Sequence, residues 1–368
     1  MIPEETLQQI RQRIGAVTDP DLDETLDALG AIHSIEAEGD GIVVYIELVP
    51  PIYRQLAQQL DAAIRSSIAE IDPLLRTVVH ARARVVDRAV PSSLLPNVQD
   101  TVAVASGKGG VGKSTIAANL AASMLLEGLR IGVLDADIYG PSMPTLFGLE
   151  GASLPAEKRD DGRVVGYPIV QYGIAVASMG FIMQRDQAAI FRGPMLAGYF
   201  RTLVEQIEWG ELDVLLFDLP PGTGDVQLTL AQQVPLSGTV VVTTPQQLAL
   251  ADVRRSIAMF RRVNVEIIGI VENMSYYIPP DDPGKRYAVF GHGGGNQLAS
   301  EVGVPFLGEI PLHDAVRASA DVGLPVVLDP ECDPEVLHSF RTVARAVLAQ
   351  LRRYNWQRSR TPRVEISV

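Results

Sequence analysis

Apolar residues along the chain follow two periods in turn. Glu4 to Ile14 places Leu7, Ile10 and Ile14 at helical spacing, and Gln55 to Ile71 does the same through Leu56, Leu60, Ile64 and Ile68. Between them, Gly41 to Val49 is a β-branched run stopped by Pro50 and Pro51. Val78 to Val86 alternates Val and Ala with His and Arg, the pattern of an edge strand. Thr18-Asp19-Pro20-Asp21 is turn chemistry with a helix-capping option. Residues 1–88 therefore read as a small α+β domain. Ala89 to Val98, with Pro91, Pro96 and two serines, reads as a linker.

From residue 99 the pattern changes. Short apolar runs, each long enough for a buried strand, occur at Thr101–Ala105, Ile131–Asp135, Asp213–Asp218, Gly238–Thr244, Ile267–Val271 and Phe306–Pro311. Helical periodicity occupies Ile116–Leu126, Ala249–Phe260 and Leu337–Leu351. Strands alternating with helices predict an α/β domain over residues 99–351, with a mainly parallel sheet flanked by helices. Leu154 to Gly166, charged and glycine-containing, predicts an exposed loop or hairpin. Residues 352–368 read as a basic tail.

Composition narrows the function classes. The chain has 368 residues, 47% hydrophobic and 20% charged, and a formal net charge of −13. Residues 1–100 carry 16 acidic side chains against 8 arginines and no lysine. No basic field for nucleic acid is offered. From Arg345 to Val368 there are six arginines and one acid, with Trp356 among them, but the apolar face beyond Leu351 is weak. Val364 to Val368 looks more like a pairing strand than a membrane anchor, and membrane association is not expected. The amino-terminal residues lack the basic start and apolar core of a signal peptide, and no stretch approaches a membrane span. Cys332 is the single cysteine, so no intrachain disulfide exists and a cytoplasmic location is expected.

The chemistry concentrates after the Thr101–Ala105 run. Gly107-Lys108-Gly109-Gly110-Val111-Gly112-Lys113-Ser114 fits G-x-x-x-x-G-K-[ST], with Thr115 following and a helical pattern behind it. Glycines let successive backbone N–H groups point at phosphate oxygens, and the helix start adds partial positive charge. Lys113 is placed to reach the β/γ-phosphates and Ser114 to hold Mg²⁺. Asp135, Asp137 and Asp218 end two buried strands on the side where such sheets bind ligands. Asp137 is the candidate for orienting an attacking water. Ser114, Asp135 and Asp218 are the candidate Mg²⁺ ligands, Asp218 through water. Leu219-Pro220-Pro221-Gly222-Thr223-Gly224-Asp225 suits a switch whose backbone swings onto a γ-phosphate.

Lys108, early in the loop, together with Asp218-Leu219-Pro220-Pro221-Gly222-Thr223-Gly224-Asp225, Ser178-Met179-Gly180-Phe181, Arg192-Gly193-Pro194 and Glu272-Asn273-Met274-Ser275, carries a resemblance. The chain resembles the Mrp/ApbC iron–sulfur carrier ATPases of the MinD class. That resemblance implies ATP and Mg²⁺ as cofactors and slow hydrolysis in a homodimer, with Lys108 reaching the nucleotide across the interface to stabilise transition-state charge. It places Asp137 in a first switch, Arg192 in a lid or interface, Asn273 on adenine, and Pro311 with His313 beside the base. It implies iron–sulfur client or scaffold proteins as partners. Asp19-Pro20-Asp21-Leu22 with Leu29-Gly30 resembles the small iron–sulfur biogenesis domain often fused to this family.

Two departures stand out. The family usually places a cysteine after the strand that ends at Val49, and a C-x-x-C after Glu272-Asn273-Met274-Ser275. Here the first stretch reads Val49-Pro50-Pro51-Ile52-Tyr53, and the second runs from Tyr276 to Tyr287 without cysteine. The loop Phe290-Gly291-His292-Gly293-Gly294-Gly295 persists. The resemblance is to a cysteine-poor branch, and the alternative reading is an ATP-gated interaction or positioning switch that binds no cluster. Asp281 and Asp282 are hard-metal candidates, read as solvated acids. Cys332 is read as an ordinary loop thiol.

Overall fold

A computed structural model describes residues 2–85, 94–138, 140–182, 193–279, 281–282 and 284–360. Arg192, most of the linker and the Val364–Val368 segment lie outside them. The chain divides into two compact units, residues 1–87 with 348–368, and residues 88–347.

In the first unit, helix α1 (Glu4–Gly15) is followed by a two-residue ladder, β1 (Thr18–Asp19) and β2 (Glu24–Thr25). The Asp19 carboxylate accepts from the backbone N–H groups of Asp21 and Leu22, so the expected turn forms, but no helix follows for it to cap. β3 (Ile32–Glu38) runs antiparallel to β4 (Gly41–Leu48), and β5 (Arg76–Ala83) adds to the other side of β4 in parallel after helix α2 (Arg54–Ala69). β4 is buried because it is central, and β5 is largely exposed because it is an edge. Leu56, Leu60, Ile64 and Ile68 are all buried, as their spacing predicts.

The second unit is a twisted eight-stranded sheet. In chain order it contains β6 (Val98–Ser106), α3 (Lys113–Leu126), β7 (Ile131–Asp135) and the short α4 (Met143–Leu146). The hairpin expected over 154–166 follows as β8 (Ala156–Lys158) and β9 (Val164–Gly166), then β10 (Ile169–Gln171) and β11 (Ile174–Ser178). Helix α5 (Gly193–Gln206), β12 (Leu212–Asp218), α6 (Asp225–Gln233), β13 (Gly238–Thr243) and α7 (Gln247–Arg262) come next. β14 (Ile267–Tyr277), α8 (Gly294–Val302), β15 (Phe306–Leu312) and α9 (Asp314–Asp321) complete the unit with the first part of α10 (Pro334–Arg360).

The strand order is β10-β11-β7-β12-β6-β13-β14-β15, and only β10 is antiparallel to its neighbour. β6 lies between β12 and β13, and the chain builds outward from it in both directions. Its carboxyl end is therefore the crevice where ligands bind in such sheets. Val102, Ala103, Val104 and Ala105 are fully buried, as are Leu215, Leu216 and Phe217 beside them. Pro311, which has no N–H to donate, is tolerated because β15 is the edge strand. Among the described residues no helix is long and apolar enough to cross a membrane.

The carboxyl-terminal reading needs correction. The helix does not end at Leu351 with a basic tail beyond; it continues through residue 360. Arg352 is fully buried in the first unit and donates to Asp19, to Asp21 and to the Val49 carbonyl. The Tyr53 hydroxyl donates to the Asp21 carboxylate at 2.9 Å, and Asn355 holds the Pro50 carbonyl. The arginine count made this segment look solvated, whereas Arg352 meets two carboxylates distant in sequence and Asn355, on the same helical face, meets a backbone carbonyl. Removing one partner of a buried pair leaves the others uncompensated, so Arg352→Ala is expected to cost about 3–5 kcal/mol. Urea unfolding followed by the fluorescence of Trp356, one turn further on, checks this; a loss below about 1 kcal/mol, the worth of an exposed pair, contradicts it.

Candidate nucleotide-binding site

The glycine loop leaves β6 at Ser106, whose hydroxyl donates to the Lys108 carbonyl at 2.9 Å. Gly110 and Gly112 have φ of +80° and +81°, a region where a side chain is strained. At Gly112 space is also denied, since a Cβ would lie 2.3 Å from Asn273 Nδ2. Gly107 is closed in the same way by the backbone of Asp252. Helix α3 then begins at Lys113 with no side-chain cap, leaving its first N–H groups facing the loop interior.

A cavity of about 490 Å³ opens over this turn. Lys108, Gly109, Gly110, Gly112, Lys113, Ser114, Thr115 and Asp137 all line it, gathered from the ends of β6 and β7. Lys113 is 6% exposed and pairs with Asp218, which is fully buried at the end of β12; its ammonium also lies 3.2 Å from the Ser114 hydroxyl. Burial pushes the Asp218 carboxyl up, and the Lys113 charge opposes it. Asp218 Oδ2 is buried without a hydrogen-bond partner among the described residues.

Asp135 has a different setting from the one expected of a metal ligand. Its two oxygens accept from the N–H groups of Asp137, Ser142 and Met143 and from the Ser178 hydroxyl, all between 2.9 and 3.1 Å. Burial, and then the nearby Asp218 charge, push its carboxyl up. It ties down the turn that carries Asp137. The Asp137 carboxylate accepts from Gly140 N–H at 3.3 Å and faces the cavity.

Asn273 and Pro311 do not line this cavity. Asn273 stands behind the loop and donates to the Val111 carbonyl at 2.8 Å. Thr145 and Leu146 from α4 and Ala320 and Asp321 from α9 do line it. Nothing in their sequence neighbourhood marks them, because α4 and α9 meet only in the fold, where Gly148 packs against Gly323.

The segment after Asn273 is a closed hairpin, with Tyr277 and Tyr287 exchanging backbone hydrogen bonds at 2.8 and 3.0 Å. Arg286 stacks 5.1 Å from the Tyr276 ring centre, and both side chains bond Glu335. Asp282 pairs with Lys285, the solvated outcome expected. Glu272, fully buried, accepts from Gly293 and Gly295 N–H and so holds the glycine turn that starts α8. Among the described residues no three His, Cys, Asp or Glu side chains gather as a metal cage.

A glycine loop at the switch point of a parallel sheet, with a buried lysine and a strand-end aspartate behind it, defines a P-loop NTPase. Residues 97–348 match the ParA family of NUBPL iron-transfer P-loop NTPases, and the chain belongs to that family. It is 42% identical over 340 residues to an iron–sulfur cluster carrier protein of Deinococcus radiodurans, covering 92% of this chain and 93% of that one. It is 38% identical over 357 residues to the iron–sulfur cluster carrier protein of Escherichia coli K12, covering 95% and 93%. Among solved structures, a nucleotide-binding protein of Archaeoglobus fulgidus in complex with ADP is similar with a TM-score of 0.57 and 38% identity, over 67% of this chain and 94% of that one. The MinD protein of Pyrococcus horikoshii shares the fold, with a TM-score of 0.51 at 18% identity over 67% and 95%.

Cys332 sits half-buried between Asp329 and Asp333, and burial first, then those two carboxylates, push its thiol up to about 11. Alkylation needs the thiolate, so at pH 8 Cys332 is expected to react about a hundredfold more slowly than an unperturbed thiol. Iodoacetamide labelling rates between pH 7 and 10 test this; a rate matching free cysteine contradicts it.

Proposed function

We propose that this chain is a cytoplasmic, homodimeric, Mg²⁺-dependent ATPase that acts as a switch in iron–sulfur cluster assembly or transfer. The observation that carries it is the convergence of Lys108, Lys113, Ser114 and Asp137 with the loop amides around one cavity. The ADP complex of the Archaeoglobus relative and the naming of the bacterial relatives as iron–sulfur cluster carriers support it.

Each role follows from chemistry. The loop amides of Gly109 to Thr115 and the start of α3 receive the phosphates. Lys113 exchanges its bond to Asp218 for phosphate oxygens. Lys108, part-buried where the loop leaves β6, serves the nucleotide of the partner copy. Asp137, held by the Asp135-braced turn, accepts a hydrogen bond from the attacking water. A bound Mg²⁺ would supply charge neutralisation at the phosphates, and such a metal would be held by one or two protein oxygens plus the phosphates. The Ser114 hydroxyl and the unpartnered Asp218 Oδ2 fit that donor set. Asp135, whose oxygens are occupied by four donors, acts on Asp137 instead. Asn273, expected on adenine, braces the loop.

The cluster itself is cargo, and this chain does not fit a directly bridging role. A cluster takes four thiolates, and two copies of the chain supply two, both with raised pKa. The thiolates therefore come from the client or scaffold, and the chain acts as the ATP-gated partner.

Lys113→Ala is expected to abolish ATP binding; calorimetry showing unchanged affinity removes the site assignment. Anaerobic reconstitution of the purified chain with iron and sulfide is expected to leave no stable cluster after desalting, with Cys332→Ser indistinguishable. A stoichiometric, transferable cluster would restore the direct-carrier reading.

A further inference from the structure

Gln227 lies in the first turn of α6, immediately after the Pro- and Gly-rich segment that follows β12. It is 2% exposed, and both its amide nitrogen and its amide oxygen lack a hydrogen-bond partner among the described residues. Among the described side-chain amides with an unmet buried atom, it alone has both its nitrogen and its oxygen unmet. Burying an amide without partners is costly, and an apolar side chain of similar size would fill the same space without that cost.

Its location gives the cost a purpose. Gln227 lines a second cavity, of about 440 Å³, with Asp137, Pro220, Pro221 and Gly224. Asp137 and Pro221 line the loop cavity as well, so they form the wall shared by the two. An amide offers a donor and an acceptor without charge, whereas the Asp137 carboxylate only accepts. The amide atoms are closed to water in this conformation, so the Pro- and Gly-rich segment before α6 must shift to open them to the cavity; a water then held by both groups has its two O–H bonds engaged, which leaves a lone pair directed away from them.

We propose that Gln227 is a second positioning residue for the hydrolytic water, acting with Asp137 across the wall between the cavities. This rests on the ATPase reading above. The water oxygen forms a bond to the γ-phosphorus while the bond from that phosphorus to the β–γ bridging oxygen breaks. The electron pair leaves on ADP, and the proton released by the water passes by way of Asp137 to the inorganic phosphate. Gln227 exchanges no proton; it fixes where the water stands, and such positioning is most of what a loose phosphoryl-transfer transition state requires.

The test is Gln227→Met in the full-length chain. It should lower kcat by about tenfold or more, a size ordinary for loss of a positioning group, and leave the calorimetric Kd for ATP within about twofold of the parent. ADP with aluminium fluoride, which mimics the transferring phosphoryl group, should bind about tenfold more weakly while ADP alone is unaffected. The thermal midpoint should hold or rise, because an unmet amide has been removed. A parent-like kcat, or a loss of ATP affinity matching the loss of rate, overturns the proposal. Should the Met variant not fold, Gln227→Asn, with the same amide one bond shorter, is judged by the same two criteria. If instead the parent chain hydrolyses no ATP and Lys113→Ala changes nothing, it is the ATPase reading that fails.

Discussion

The buried contact between Lys113 and Asp218 joins the first residue of α3 to the last residue of β12, and the site is arranged around it. Such a pair is a poor source of stability, because taking both ions out of water costs about as much as their attraction returns. Its value is positional. It holds the lysine at the mouth of the helix and leaves one carboxylate oxygen unmatched, so a polyanion with a hard cation can replace each partner with something better. A site held only by packing has no such exchange available.

Backbone geometry around that pair restricts the sequence more tightly than any charge does. The left-handed turn at Gly112 presses against Asn273, and Asn273 in turn holds the Val111 carbonyl. One buried hydrogen bond and one steric contact therefore keep the loop in one shape. On the next strand, Asp135 does the same for the Asp137 turn with four donors. Carboxylates used as internal braces are common where a catalytic loop must be rigid, since each bond to a charged acceptor is stronger than a neutral one.

The segment between Tyr277 and Tyr287 is held by polar contacts at its base and beyond it. A single backbone bridge between Tyr277 and Tyr287 closes it, Glu335 gathers Tyr276 and Arg286, and Glu272 pins the glycine turn beyond. None of these contacts uses a thiol.

Most of the secondary structure, the glycine loop and its lysines, and the strand-end aspartates were legible in the residues alone, because period, turn chemistry and motif spacing are local properties. β3 escaped because Ile32–Glu38 is polar and half exposed, and α5, α6, α8 and α9 escaped because glycine, proline or short length blurred their period. What only the tertiary structure decided was pairing over distance. Arg352 looked solvated in its own neighbourhood and is buried on Asp19 and Asp21, and the four donors that Asp135 accepts from come from residues its own strand does not contain. Gln227 gave no signal until the fold buried its amide on a cavity that Asp137 also lines. A sequence records which groups are polar, but which of them find partners depends on which elements the fold brings within a few ångströms of one another.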